Sequence, residues 1–176
     1  MELLIGSVGF LLFFIYDWNR IFWKKKEMQF FFLLGCLCQA AAGVGLLFRV
    51  WERKTAGWPV YLLLALLFLA ALIYTLFFAL PFDSTYCQEA DSHKVCRSGV
   101  YGWCRHPGIW WFFGCFASLG FGSGEFYGLL CGLILSFLNL IYAWYQDRLI
   151  FPREFSDYGE YRKEVPFLLP IRGQKR

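Results

Sequence analysis

Charge is scarce in this 176-residue chain. Only 17% of its residues are Asp, Glu, Lys or Arg, 59% are hydrophobic, and the mean hydropathy is +0.47. A soluble domain carries about 25% charged residues, so the composition excludes an ordinary one. Histidine is scarcer still, with only His93 and His106, and neither lies inside an apolar run. A b-type haem held between helices therefore lacks its ligands. The run interiors contain no Asp, Glu, Lys, Arg or His, and Gln39 and Asn139 are their notable polar side chains. Ion-coupled transporters and proton pumps usually need ionisable groups at membrane depth, so this absence weighs against transport. The seven cysteines form an odd set without a C-x-x-C pair or regular spacing, and no disulfide framework is expected. Repeats and low-complexity tracts are also missing, which predicts one compact unit. The chain opens on Glu2 rather than a basic stretch, and no small-residue cleavage site follows Tyr16. The first run reads as a retained helix, not a signal peptide.

Long apolar runs cover Met28–Phe48, Pro59–Leu80, Gly108–Phe121 and Phe126–Tyr145, in addition to the one ending at Tyr16. A spanning helix needs about 20 residues. The first run reaches that length by continuing through Trp18, Ile21, Phe22 and Trp23, with Asp17 and Arg20 one turn apart as a surface ion pair. The fourth is short and meets a Gly-Ser-Gly turn at Gly122–Gly124, predicting a tight hairpin with the fifth. The expected fold is all-α: a polytopic integral membrane bundle of about five transmembrane helices. Its parts are three N-terminal helices over 1–80, a loop over 81–107, a helical hairpin over 108–145 and a C-terminal segment over 146–176.

Basic residues are distributed unevenly. Arg20, Lys24 to Lys26, Lys94, Arg97, Arg105, Arg148, Arg153, Arg162, Lys163, Arg172, Lys175 and Arg176 fall on one side of the spans, and only Arg49, Arg53 and Lys54 on the other. The positive-inside rule places the N-terminus outside and both the long loop and the tail in the cytoplasm. Cys87, Cys96 and Cys104 then face a reducing compartment. The net charge of +4 is read as orientation, not as nucleic-acid binding, and Lys24 to Lys26 are read first as a topology signal, with contact to anionic headgroups as the alternative.

The polar chemistry concentrates in the loop Asp91-Ser92-His93-Lys94-Val95-Cys96-Arg97-Ser98-Gly99-Val100-Tyr101-Gly102-Trp103-Cys104-Arg105-His106-Pro107. Pro107 suits the first position of the next helix, where no N–H is needed. Cys87, His93, Cys96, Cys104 and His106 lie close in sequence, but their spacing matches no zinc motif, so no metal is expected. An Arg-His-Pro tripeptide by itself is equally consistent with a plain helix start flanked by interfacial anchors.

The wider context is more specific. Ser98-Gly99-Val100-Tyr101 through Arg105-His106-Pro107, opening a hairpin that Glu154 to Pro170 follows, resembles the isoprenylcysteine carboxyl methyltransferase family and its phospholipid-methylating relatives. Tyr158, Glu160-Tyr161-Arg162-Lys163-Glu164-Val165-Pro166 and Pro170 resemble that family's C-terminal segment. The resemblance implies an enzyme of the bacterial cytoplasmic membrane or endoplasmic reticulum. It would take S-adenosylmethionine from the cytosol and a lipophilic or lipidated acceptor from the bilayer. Arg105 and His106 would be catalytic. His93, Gly99, Tyr101, Arg105, His106, Pro107, Asp147, Glu154, Tyr158 and Tyr161 would bind the cofactor, with Arg105 forking onto its carboxylate. Family members often carry Tyr at the position of Ile109, a small residue at Trp111 and Glu-Glu where Gln146-Asp147 stand. Alternative readings are a phospholipid or small-molecule methyltransferase and a non-catalytic interaction protein on the same scaffold. A nicotinamide-dependent sterol reductase relative would need more helices.

Overall fold

The computed structural model describes residues 1–79 and 94–169, and the regular elements within them are all helical. Cys87, His93, Pro170 and the basic residues Arg172, Lys175 and Arg176 lie outside the described residues. Helix α1 covers Glu2–Trp18 and continues into a π-helical turn, Asn19–Trp23, giving one 22-residue apolar rod. The rod ends where Lys24 adopts a left-handed conformation and its amide bonds to the Asn19 carbonyl at 2.6 Å. Asn19, itself buried, clamps the following turn through both side-chain atoms, donating to the Lys25 carbonyl at 2.9 Å and accepting from the Lys25 amide at 3.0 Å.

Helix α2 spans Phe30–Arg53 and α3 spans Trp58–Phe77, with Pro59 in the first turn of α3 where its missing donor costs nothing. Helix α4, Gly108–Gly122, and α5, Phe126–Tyr145, form the hairpin, turning at Gly124 with φ +65°. A second π-helical turn, Gln146–Ile150, prolongs α5 into the short helix α6, Phe151–Glu154, and α7 follows at Tyr158–Glu164.

Among the described residues four helical rods are long and apolar enough to cross a membrane. Helix α4, with 15 residues, reaches about 22 Å at 1.5 Å per residue, short of a hydrocarbon core of about 30 Å. It is nevertheless deeply enclosed, lying against α3 and α5 with α2 nearby. The core runs through Phe10, Leu46, Phe112, Phe116, Cys131 and Leu135. Glycine makes the α4–α5 contact possible: a Cβ on Gly132 would lie 2.5 Å from the Phe116 carbonyl oxygen. Helices whose outer faces already lie in lipid gain little from hydrophobic transfer and associate by such close packing. Large apolar side chains such as Leu4, Leu33, Leu63, Leu66 and Phe137 point outward, as a lipid environment permits.

The bundle has two polar ends. At one, Arg49 of α2 bridges Glu2 and Glu125 at 2.9 Å each, and Arg53 also pairs with Glu125. This clasp joins α1, α2 and the α4–α5 turn. At the other end the loop, the end of α5 and the tail converge. Asp17 is here as well, and it is not the surface residue its sequence position suggests. It is 1% exposed, with Arg20 at 3.4 Å, because α5 packs over this turn of α1.

Candidate active site

The polypeptide between Lys94 and Pro107 is held in place mainly by the tail. Asp157 accepts the Val95 amide and an Arg97 Nη2 donor, both at 2.9 Å, while Arg97 Nη1 donates to Glu164 at 2.8 Å. Burial opposes the charge on Asp157, but the Val95 amide and the Arg97 guanidinium outweigh it and hold the carboxyl below its ordinary value. Gly99 then takes φ +60° and opens a single 3-10 turn, Gly99–Gly102. That turn presents Tyr101, whose hydroxyl donates to the Thr75 carbonyl of α3 at 3.0 Å and whose own carbonyl accepts Tyr161 Oη at 2.7 Å.

Asp147 is the centre of this end. It is 2% exposed and receives Arg105 Nε at 2.7 Å, Arg105 Nη2 at 3.2 Å and Tyr158 Oη at 2.6 Å. Arg105 Nη1 donates to the carbonyls of Arg162 and Val165, and the Arg105 amide donates to the Pro166 carbonyl at 2.9 Å. The fork assigned by resemblance to a cofactor carboxylate is thus filled from within the chain. Val165 has the extended backbone that a following proline favours, and this turns its carbonyl towards the guanidinium. One turn into α4, Trp110 Nε1 donates to the Leu168 carbonyl at 3.0 Å and fixes the next stretch of tail.

His106 lies beneath this strap between Phe151 and Phe167, at ring-centroid distances of 5.7 and 4.9 Å. Its Nε2 is buried without a hydrogen bond, although Asp147 Oδ1 lies 3.4 Å away. Burial lowers the His106 pKa against the pull of the Asp147 carboxylate, so the neutral imidazole is favoured. The Cys104 thiol is pushed up by burial and stays protonated. Burial also raises Tyr158 and Tyr161, which act here as hydrogen-bond donors.

Half of the chain has curated counterparts. It is 33% identical to protein-S-isoprenylcysteine O-methyltransferase of Mus musculus over 99 residues, covering 50% of this chain and 32% of the relative. The Xenopus laevis protein of the same name is 35% identical over 99 residues, covering 50% and 31% respectively, and the Homo sapiens protein is 33% identical over an equal length. The aligned stretch therefore spans about a third of each relative's length. No family model and no solved structure matches.

Of the site residues expected from sequence, Arg105, His106, Asp147 and Tyr158 meet directly, and Tyr161 joins them through Tyr101 and the Tyr158 ring at 5.8 Å. Pro107 caps the start of α4, while Glu154 turns towards α1 and bonds Arg20 Nη2 at 2.7 Å. His93 lies outside the described residues. Among the described residues no group of three or more His, Cys, Asp or Glu side chains is arranged to hold a metal.

Several participants went unnoticed in the sequence. The tail carbonyls of Arg162, Val165 and Pro166 carry no residue signature, and Phe151 and Phe167 are hidden among abundant aromatics. Gln146 accompanies Asp147 at the end of α5 but points elsewhere, donating to Asp17 at 2.8 Å. The spacing of Tyr142 and Gln146, one helical turn apart on a face that meets α1, was the available signal.

Proposed function

We propose that this chain is a membrane methyltransferase that uses S-adenosylmethionine as donor and a lipophilic acceptor, most like the carboxylate of an isoprenylcysteine. The observation that carries this reading is the closure of three distant segments on Asp147: the Arg105-His106-Pro107 helix start, the end of α5 and the tail. A capped helix start alone needs no such convergence. The partial likeness to isoprenylcysteine O-methyltransferases points to the same chemistry. The basic residues of Lys94–Pro107 and of residues 148–163 outnumber Arg49, Arg53 and Lys54 at the other end, in keeping with a cytoplasmic site and an outside N-terminus.

The residues present suit the donor in a particular way. S-adenosylmethionine supplies an already activated methyl group on a sulfonium, so the protein mainly orients the reactants and excludes water. Arg105 holds the strap closed rather than offering a free fork. His106 Nε2, buried and held only loosely by Asp147 Oδ1 at 3.4 Å, can pair with a bound polar group. Gly99 leaves open space where a Cβ would stand, allowing close approach to its backbone. Tyr101 flanks this region in the reading taken from the resemblance. A carboxylate acceptor is ionised at neutral pH and needs no base, which agrees with a neutral His106 acting as a hydrogen-bonding group.

The test is transfer of radiolabelled methyl from S-adenosylmethionine by purified protein in liposomes, offered N-acetyl-S-farnesylcysteine and an aminophospholipid in parallel. Label in farnesylcysteine methyl ester is expected, and His106→Phe should abolish it. Label confined to the phospholipid would move the acceptor to the related class. The internal pairing of each Arg105 guanidinium nitrogen favours a second reading, a non-catalytic scaffold on this fold. Absence of both label and cofactor binding would select it.

A further inference from the structure

Helices α1 and α5 both widen into π-helical turns at this end, at Asn19–Trp23 and Gln146–Ile150, and α1 touches the second of them. Such turns are uncommon and occur where local contacts hold the wider winding in place. The contacts at the second turn come from Asp17. Its Oδ2 accepts Tyr142 Oη at 2.7 Å and Gln146 Nε2 at 2.8 Å, and these two groups lie 2.9 Å from each other. Arg20, 3.4 Å from Asp17, reaches Glu154 at 2.7 Å. One turn of α1 thus fastens α5 before the π-turn at Tyr142, at its first residue Gln146, and beyond it at Glu154. Asp147 is the next residue after Gln146, yet it points to Arg105 and Tyr158.

We propose that Asp17 is a positioning residue for the Arg105–Asp147 site. It fixes Gln146, keeps the turn at 146–150 open, and so sets the direction from which Asp147 meets Arg105. A π-turn takes up about one extra residue, or about 100° of α-helical winding. Its relaxation would therefore turn Phe151 and the chain beyond it by about that angle, and Asp147 and Ile150 within it by progressively larger parts of it, off their partners even though α1 contributes no atom to the strap. The functional consequence rests on the donor-binding reading above, but the geometric relation does not.

Exchange of the amide and the carboxylate between the helices tests the relation. D17N removes the carboxylate, and Q146E places two carboxylates at hydrogen-bond distance, where both cannot comfortably ionise. The double variant D17N/Q146E restores one amide and one carboxylate with their helices swapped. In full-length protein in detergent, each single variant is expected to weaken binding of S-adenosylhomocysteine about tenfold by calorimetry, and the double variant to recover most of that loss. Hydrogen exchange should quicken at amides 146–150 and at the Arg105 amide in the single variants and slow again in the double, with α2 and α3 unchanged. Additive losses in the double variant, or wild-type binding and exchange at these amides in both singles, would overturn the assignment. If the wild-type protein does not bind S-adenosylhomocysteine, the donor reading fails, and the exchange pattern alone decides whether Asp17 sets this turn.

Discussion

Tyr158 Oη and Arg105 Nε converge on the same oxygen of Asp147, Oδ1, at 2.6 and 2.7 Å. This carboxylate is buried, with Arg105 as its bonded cation, Tyr158 as its neutral donor and Arg162 Nε as a second positive charge at 3.7 Å. Removing either bonded donor leaves the charge to the other and to the more distant Arg162.

Tyr158→Phe deletes the neutral donor while keeping the ring against Phe151 and Tyr161. A buried hydrogen bond to a charged group contributes about 1.5–3 kcal/mol. The expected result is a loss of about that size in denaturant-monitored stability, with the helical content by circular dichroism unchanged.

Arg105→Lys keeps the charge but loses the planar fork that serves Asp147 and two tail carbonyls. Breaking a buried ion pair costs on the order of 3–5 kcal/mol, and a lysine recovers only part of it. Limited trypsin digestion should cleave at Arg162 or Lys163 much faster in this variant than in the wild type. Equal cleavage rates would separate Arg105 from the docking of the tail.

Arg97→Ala provides a contrast. Its ion pairs with Glu160 and Glu164 are exposed and that with Asp157 is partly so. Pairs of this kind contribute about 0–1 kcal/mol and weaken with salt. A small stability loss that disappears in 1 M NaCl is expected in paired denaturation curves.

Acid should loosen the site before it unfolds the bundle. Burial holds His106 below its ordinary 6.5, so the unfolded or undocked chain takes up the proton first as pH falls. The stability from this group is complete above pH 6.5 and is lost as pH drops through the lowered value. Asp157, held below 3.8, has the same sign and adds a second loss in more acidic solution. Tail proteolysis followed from pH 8 downward should accelerate below 6.5 in the wild type, and His106→Phe should flatten that first phase.

Most of the scaffold was legible in the sequence because long apolar runs have few structural outcomes, and the extension of the first run through Trp23 follows from length alone. The gathering of Arg105, Asp147 and Tyr158 was legible through motif resemblance, not periodicity. Helix phase was not. Nothing in a run as uniformly apolar as α1 indicates which face meets α5, so Asp17 read as a surface residue and Gln146 as a departure rather than as its partner. Glu154 was expected as an acceptor for the cofactor's ammonium or ribose hydroxyls, and its bond to Arg20 of α1 is a long-range contact of the kind that only folding reveals. The π-turns leave no compositional mark at all.

The dependence of Arg105 on the tail also has an order in time. During synthesis Arg105 emerges well before Asp147, Tyr158 and the carbonyls of Val165 and Pro166, so the α4 hairpin enters the bilayer with a guanidinium that has none of its eventual partners. Until the last of these residues is made, that cation stays at the water interface and the tail hangs free. A chain cut short before Asp147 would leave the guanidinium without its carboxylate, and one cut between 147 and 162 would keep that ion pair but lack the carbonyls that dock the tail.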